Sequence, residues 1–262
     1  MTMIISSDGY SDCVALGEAI LHKKTEEASS AAPQSGTASV TTPRPGSAPV
    51  AAQTPSAFKS LKVGDLVTLG HYEQDNNTGN GKEPVEWYVL AVEDGCALLL
   101  SRYVLDYLPY HSQPLAFGTK ISWEDCTLRA WLHNDFLNMA FSEEEKKQIA
   151  ESTNIIYLPG NKGTTSTQDK IFLLGISDDR GIRAEWGCVP TAYTVAKGYK
   201  KSKFEIFEGT ETVPREAYGF LERSSPDSLT MTITIDGQEM TIGTSPVGEA
   251  GGVRPAVRIR LG

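Results

Sequence analysis

The chain has 262 residues, 40% of them apolar, a formal net charge of −9 and a pI near 5. That is enough apolar material to bury the core of one large domain or two small ones. An acidic balance, with one short basic cluster at 197–203, does not suit the tracking of a phosphate backbone, so nucleic acid is not an expected partner.

The first 25 residues carry no basic n-region and no continuous apolar h-region. No stretch approaches the length of apolar residues that crosses a bilayer. The expectation is a cytoplasmic protein without membrane insertion. Asp12 is placed to cap a short helix carrying Val14, Leu16, Ala19, Ile20 and Leu21. Residues 1–25 are too few to fold alone, and they read as a frayed tail or as a docking peptide for a partner. Residues 26–57 are Ala, Ser, Thr, Gly and Pro with almost no larger apolar side chain, the composition of a disordered linker.

From Phe58 the pattern is globular, and 58–262 reads as one domain. Strands are predicted at 63–69 and 85–92, and Asp94-Gly95 offers a type I′ hairpin turn into 96–101. Ser122 and Asp125 have capping-box spacing. They precede a helix with Leu128, Trp131, Leu132 and Phe136 on one face. Ser142 and Glu145 form a second box before EEEKKQIAES. A strand follows at 171–174, then an irregular stretch from 176 to 223 dense in Gly, Pro and aromatics. A hairpin about Asp236-Gly237 and a closing strand with Val257, Ile259 and Leu261 inward complete the chain. Strands, two helices, a loop-rich middle and strands again make an α+β fold with antiparallel sheets.

Six segments carry a family resemblance in order: GDLVTLGHYEQD, PVEWYVLAVEDGCALLLSRYVLD, WEDCTLRAWLHNDFLNMAFSEEEKKQI, DKIFLLG, PTAYTVAKG and GGVRPAVRIRL. Together they resemble a bacterial (Firmicutes) domain family of unknown function with a closing GVRPA-type motif. That family is similar to the C-type lectin-like and formylglycine-generating-enzyme-like superfamily, which implies a fold that presents a ligand face on its loops. Two departures stand out. AYGFLERSSP replaces a WWLRSP-type segment, and His133 stands where the helix motif usually has Asn.

No catalytic constellation emerges. There is no G-x-S-x-G, and no cysteine follows Cys188, so the paired-cysteine chemistry of formylglycine-generating enzymes does not carry over. Cys13, Cys96, Cys126 and Cys188 show no metal or redox spacing and read as buried thiols. Cys126, near a helix start, is expected to pack beside Trp123. No HExxH occurs. The loop from Asp75 to Glu86 matches an EF-hand only at Asp75, Asn77 and Glu86, and reads as a strand connector. No metal and no cofactor are expected.

Gly251 and Gly252 are expected to supply positive φ, and Arg254 to be a buried structural arginine. Trp131 and Arg129 are assigned structural roles as well. The candidate ligand-binding residues are Trp186, Tyr193, Tyr199, Tyr218 and Arg223, from the loop-rich stretch. The expected function is a non-catalytic module binding a protein or a small ligand. The alternatives are an enzyme of unrecognised mechanism, with Asp178, Asp179, Arg183 and Glu185 as its charged cluster, or a structural accessory docked through residues 1–25.

Overall fold

The computed structural model describes residues 58, 60–117, 119–158, 162–175, 189–208, 211–223, 230–235, 238–243 and 247–262, with backbone alone for 203–208, 211–215, 217, 230–235 and 238–243. The N-terminal segment and linker read from the sequence lie outside these residues. So do Asp236-Gly237, Trp186 and the 178–185 charged cluster.

β1 (Leu66–Tyr72), β2 (Glu83–Glu93) and β3 (Cys96–Ser101) form an antiparallel meander. The β2–β3 turn is the one predicted: Asp94 and Gly95 both take positive φ, 52° and 71°. β1 starts later than the expected Val63. Val63 and Gly64 belong to a turn closed by Lys62 N–H donating to Asp65 Oδ2 at 2.8 Å. β4 (Tyr103–Val104) and β5 (Asp106–Pro109) follow.

The main helix begins after the expected cap. Ser122 and Asp125 bond to each other in a turn, Oγ to Oδ2 at 3.0 Å. The N-cap is instead Cys126, whose sulfur accepts from the Arg129 N–H at 3.4 Å. α1 (Thr127–Trp131) runs through a π-turn at Leu132–Phe136 into α2 (Leu137–Ala140), and Leu128, Leu132 and Phe136 are buried. α3 (Glu143–Gln148) starts at the capping box read from the sequence. Its Glu145 also accepts from the Gly70 N–H at 2.9 Å. Gly70 sits at φ 73°, and a Cβ there would lie 2.7 Å from Ala140 O, so this bulge in β1 requires glycine.

β6 (Ile149–Ala150) joins the main sheet. β7 (Ser152–Tyr157) and β8 (Thr164–Asp169) make a two-stranded ribbon, and β9 (Ile171–Phe172) returns to the core. The stretch expected to be irregular contains regular elements among its described residues. These are β10 (Val189–Pro190), α4 (Ala192–Ala196), the hairpin of β11 (Ser202–Glu208) and β12 (Glu211–Ala217), and β13 (Gly219–Leu221). Pro214 and the interspersed charges obscure the alternation in this two-stranded hairpin, whose strands lie outside both larger sheets and so tolerate a proline. β14 (Thr230–Ile235) and β15 (Gln238–Gly243) pair as expected. β16 (Ala250–Val253) and β17 (Ala256–Arg260) follow.

Two sheets organise the fold. One has the order β1-β2-β3-β17-β6 with β9 also on β17; the other has the order β15-β14-β13-β16-β5. Pairing is antiparallel except for β10 with β4 and β13 with β16. The architecture is therefore α+β with antiparallel sheets and few helices, and α4 adds to the two helices expected. Val257 and Ile259 are fully buried in the middle of the first sheet. Trp87 and Trp123 are core residues, and Trp131 packs against them half-buried, its ring 5.5 Å from that of Phe136.

Arg254 marks the crossing from one sheet to the other, at 1% exposure. Its Nε donates to Ser101 O at 2.8 Å, and its guanidinium lies 5.3 Å from the Phe220 ring centroid. Gly251 and Gly252 are not in the left-handed region, contrary to expectation. They are small for a packing reason: a Cβ on Gly251 would fall 2.6 Å from the Leu221 side chain.

Candidate functional site

Three tyrosines stack in a row where β5, the end of α4 and β13 meet. The Tyr107 and Tyr199 ring centroids are 5.5 Å apart, and those of Tyr199 and Tyr218 are 5.2 Å apart. Tyr199 is the buried middle member, at 5% exposure, and its hydroxyl donates to Gly219 O at 2.6 Å. Tyr107 and Tyr218 are half-buried. The Lys201 ammonium lies 5.8 Å from the Tyr218 centroid. Lys200 and Lys201 are exposed, and neither forms an ion pair among the described residues.

A buried carboxylate fixes the helix beside this row. Asp106, at 2% exposure, accepts from the Tyr72 hydroxyl at 2.6 Å, from the Tyr107 N–H at 2.6 Å and from the Lys197 ammonium. Burial, reinforced by the Asp106 charge, pushes the Tyr72 phenol far above its ordinary range. Burial pulls down on Lys197, but the bond and charge of Asp106 outweigh it and raise the ammonium pKa. The Lys197 ammonium also lies 5.0 Å from the Tyr193 centroid. Thr191 caps α4 by accepting from the Thr194 N–H at 3.1 Å, and Tyr193 N–H donates to Gln74 O at 3.0 Å. These bonds hold α4 in place, so the tyrosine row does not have to be assembled by a ligand.

A second polar centre is structural. Asp169 is fully buried and gathers Arg129 Nε at 2.6 Å, Thr167 Oγ1 at 2.5 Å, Asn154 Nδ2 at 2.7 Å and Trp123 Nε1 at 3.0 Å. His133 Nε2 lies 3.0 Å from Asp169 Oδ1. Burial alone would raise the pKa of this carboxyl. The His133 imidazole beside it, foremost, with the bonds from Thr167, Trp123 and Asn154, holds it well below the usual carboxylate range. His133 thus has a buried acid beside it. Arg223 continues the network: Nη1 donates to Leu173 O at 2.7 Å and to Asn154 Oδ1 at 3.3 Å.

Tyr193, Tyr199 and Tyr218 come together around α4 and β13. Arg223 is buried at the β7–β9 side, in the network of Arg129 and Asp169. Trp186 lies outside the described residues. Tyr107, Tyr72 and Asp106 were missed, because β5 reads as an ordinary run between strands and only the fold brings it to α4. Cys126 donates its thiol to Trp123 O at 3.3 Å, and burial pushes its pKa up to about 11, so it is an inert packed thiol.

Among the described residues, Glu73, Asp75 and Glu83 are the acids close enough to share a cation, with ligand oxygens within 4.8 Å of one another. Each already accepts backbone N–H bonds: Asn77 on Glu73, Asn77 on Asp75, Gln74 on Glu83. Glu86, the last of the EF-hand-like positions, is turned to Arg102 at 2.9 Å instead. No helix among the described residues is long and apolar enough to cross a membrane.

No curated protein and no solved structure matches the chain. The profile of one family does match, over residues 94–261, from the β2–β3 turn through β17, and that span contains α4, the tyrosine row, Gly251 and Gly252. The chain belongs to the family described as Domain of unknown function (DUF6273).

Proposed function

We propose that the domain is a non-catalytic binding module and that its ligand rests on the row Tyr107–Tyr199–Tyr218. The observation that carries the reading is the pair of half-exposed rings held on either side of one buried, hydrogen-bonded ring. Rings fixed in advance lose little freedom on binding, and tyrosine combines an apolar face with a polar tip. Lys200 and Lys201 beside them, in an otherwise acidic chain, favour a ligand with a flat apolar face and negative charge. Tyr193 and the anchored Lys197 lie on α4 and at its end, with the Lys197 ammonium 5.0 Å from the Tyr193 ring centroid. The reading keeps the sequence-based expectations of a bacterial, cytoplasmic protein related to C-type lectin-like folds, whose loops form the ligand face.

The test is a binding screen of the purified chain against immobilised acidic peptides and anionic oligosaccharides. Any ligand bound there should lose about tenfold in affinity with Tyr218→Ala, a change of roughly 1.4 kcal/mol. It should also weaken as salt is raised. A ligand whose binding ignores both Tyr218→Ala and Tyr107→Ala would move the site elsewhere.

A further inference from the structure

The connection between β1 and β2 holds the one Asn-Gly pair of the chain, Asn80–Gly81. A backbone nitrogen is a poor nucleophile when the Cβ of its own residue crowds it, and glycine has none. Here the surroundings are open as well. Residues 75–82 are exposed, and a Cβ built on Gly81 would meet nothing within 4 Å. Among the described residues the Gly81 N–H finds no acceptor and Asn80 Oδ1 finds no donor. Gly81 adopts φ 95°, a conformation from which glycine moves at little cost. The Asn80 amide is held only by its nitrogen, which donates to Asp75 Oδ2 at 2.7 Å.

We propose that Asn80 is a self-modification site, deamidated by the backbone of Gly81. The Gly81 nitrogen gives up its proton and forms a bond to Asn80 Cγ. The Cγ–Nδ2 bond breaks, and ammonia leaves carrying that proton, so a cyclic succinimide remains. Water then opens the ring at either carbonyl, giving aspartate or isoaspartate, with no change of oxidation state and no further reactant. The product places a new carboxylate beside Glu73, Asp75 and Glu83, whose oxygens are already within 4.8 Å of one another. It also removes the donor that Asp75 accepted. A neutral clamp becomes a fourth like charge, and mutual repulsion loosens the β1–β2 connection.

The experiment uses the full chain held in mildly alkaline buffer, followed by proteolytic digestion and mass spectrometry with an assay for isoaspartate. Asn80 is expected to convert several-fold faster than the exposed Asn77 and Asn138, which precede Thr78 and Met139. Both aspartate and isoaspartate should form. Gly81→Ala should bring the rate down to that of the other two sites, and Asn80→Gln should abolish the product without altering thermal unfolding. Conversion of Asn80 no faster than Asn77, aspartate without isoaspartate, or an unchanged rate in Gly81→Ala would each overturn the proposal.

Discussion

Tyr199 occupies the space that Gly252 leaves empty: a Cβ on Gly252 would fall 2.7 Å from the tyrosine hydroxyl and 2.8 Å from Gly219 O, the group that hydroxyl bonds to. The tyrosine row and the closing motif are thus one packing unit. Gly252→Ala should cost about 1–3 kcal/mol through overpacking, and it should disturb the row by displacing its middle ring. Tyr199→Phe, which keeps the ring and loses one hydrogen bond, should cost only about 1 kcal/mol. Denaturant unfolding of the two variants checks the order, and a milder effect from Gly252→Ala would disprove the coupling.

The two ends of the row should separate from its middle. Tyr199→Ala is expected to cost about 3–5 kcal/mol, as for other buried aromatics. Tyr218→Ala should lose little more than a stacking contact, about 0.5–1.5 kcal/mol. Equal losses, measured by thermal melts, would mean that Tyr218 is core and would remove the physical basis for a ligand there.

Asp169 makes stability depend on acid. Its carboxyl pKa is depressed in the folded state, so its contribution is fully present above the unfolded value, about 3.9. That contribution is lost as pH falls through that value towards the folded one. Asp169→Asn should destabilise the domain by roughly 3 kcal/mol at neutral pH, because Arg129 and His133 lose their charged partner. The variant should also flatten the acid limb of a stability–pH curve. A variant as acid-sensitive as the parent would place the titrating group elsewhere.

The strand β17 should be indispensable. Val257 and Ile259 each bury a side chain worth about 1.5–3 kcal/mol, against a total stability of about 5–15 kcal/mol. Deleting 253–262 also removes Arg254 from its bond to Ser101. The deleted chain should show no cooperative melt by circular dichroism.

Limited proteolysis addresses the domain boundary. The composition of 26–57 predicts cleavage there, and the burial of Phe58 in the core predicts a resistant fragment starting close to it. A fragment that unfolds once 1–57 is removed would refute that boundary.

What could be read in advance divides along physical lines. The Asp94-Gly95 turn, the Ser142–Glu145 cap and the alternation of Val257 and Ile259 are local signals, set by backbone conformation or by the pleat. The start of the main helix was misplaced because Ser122 and Asp125 have the right spacing, while the sulfur of Cys126 does the capping. The β11–β12 hairpin was hidden by Pro214. Of the candidate site, the aromatic members around α4 were legible as unexplained aromatics. Asp106 and Tyr107 were not, since their meaning comes from a β5–β16 pairing between distant parts of the chain.

The position of β17 also bears on how the chain is made. Ser101 and Arg254 are 153 residues apart, an interval of on the order of 10–30 s of translation. Throughout it, the Leu98–Leu100 edge of β3 has no β17 to pair with. A nascent apolar edge of this kind is a template for pairing with other chains. Yield from rapid overexpression should therefore depend on how well that edge is shielded until Ala256 emerges, and slowing synthesis should favour the folded product over inclusion bodies.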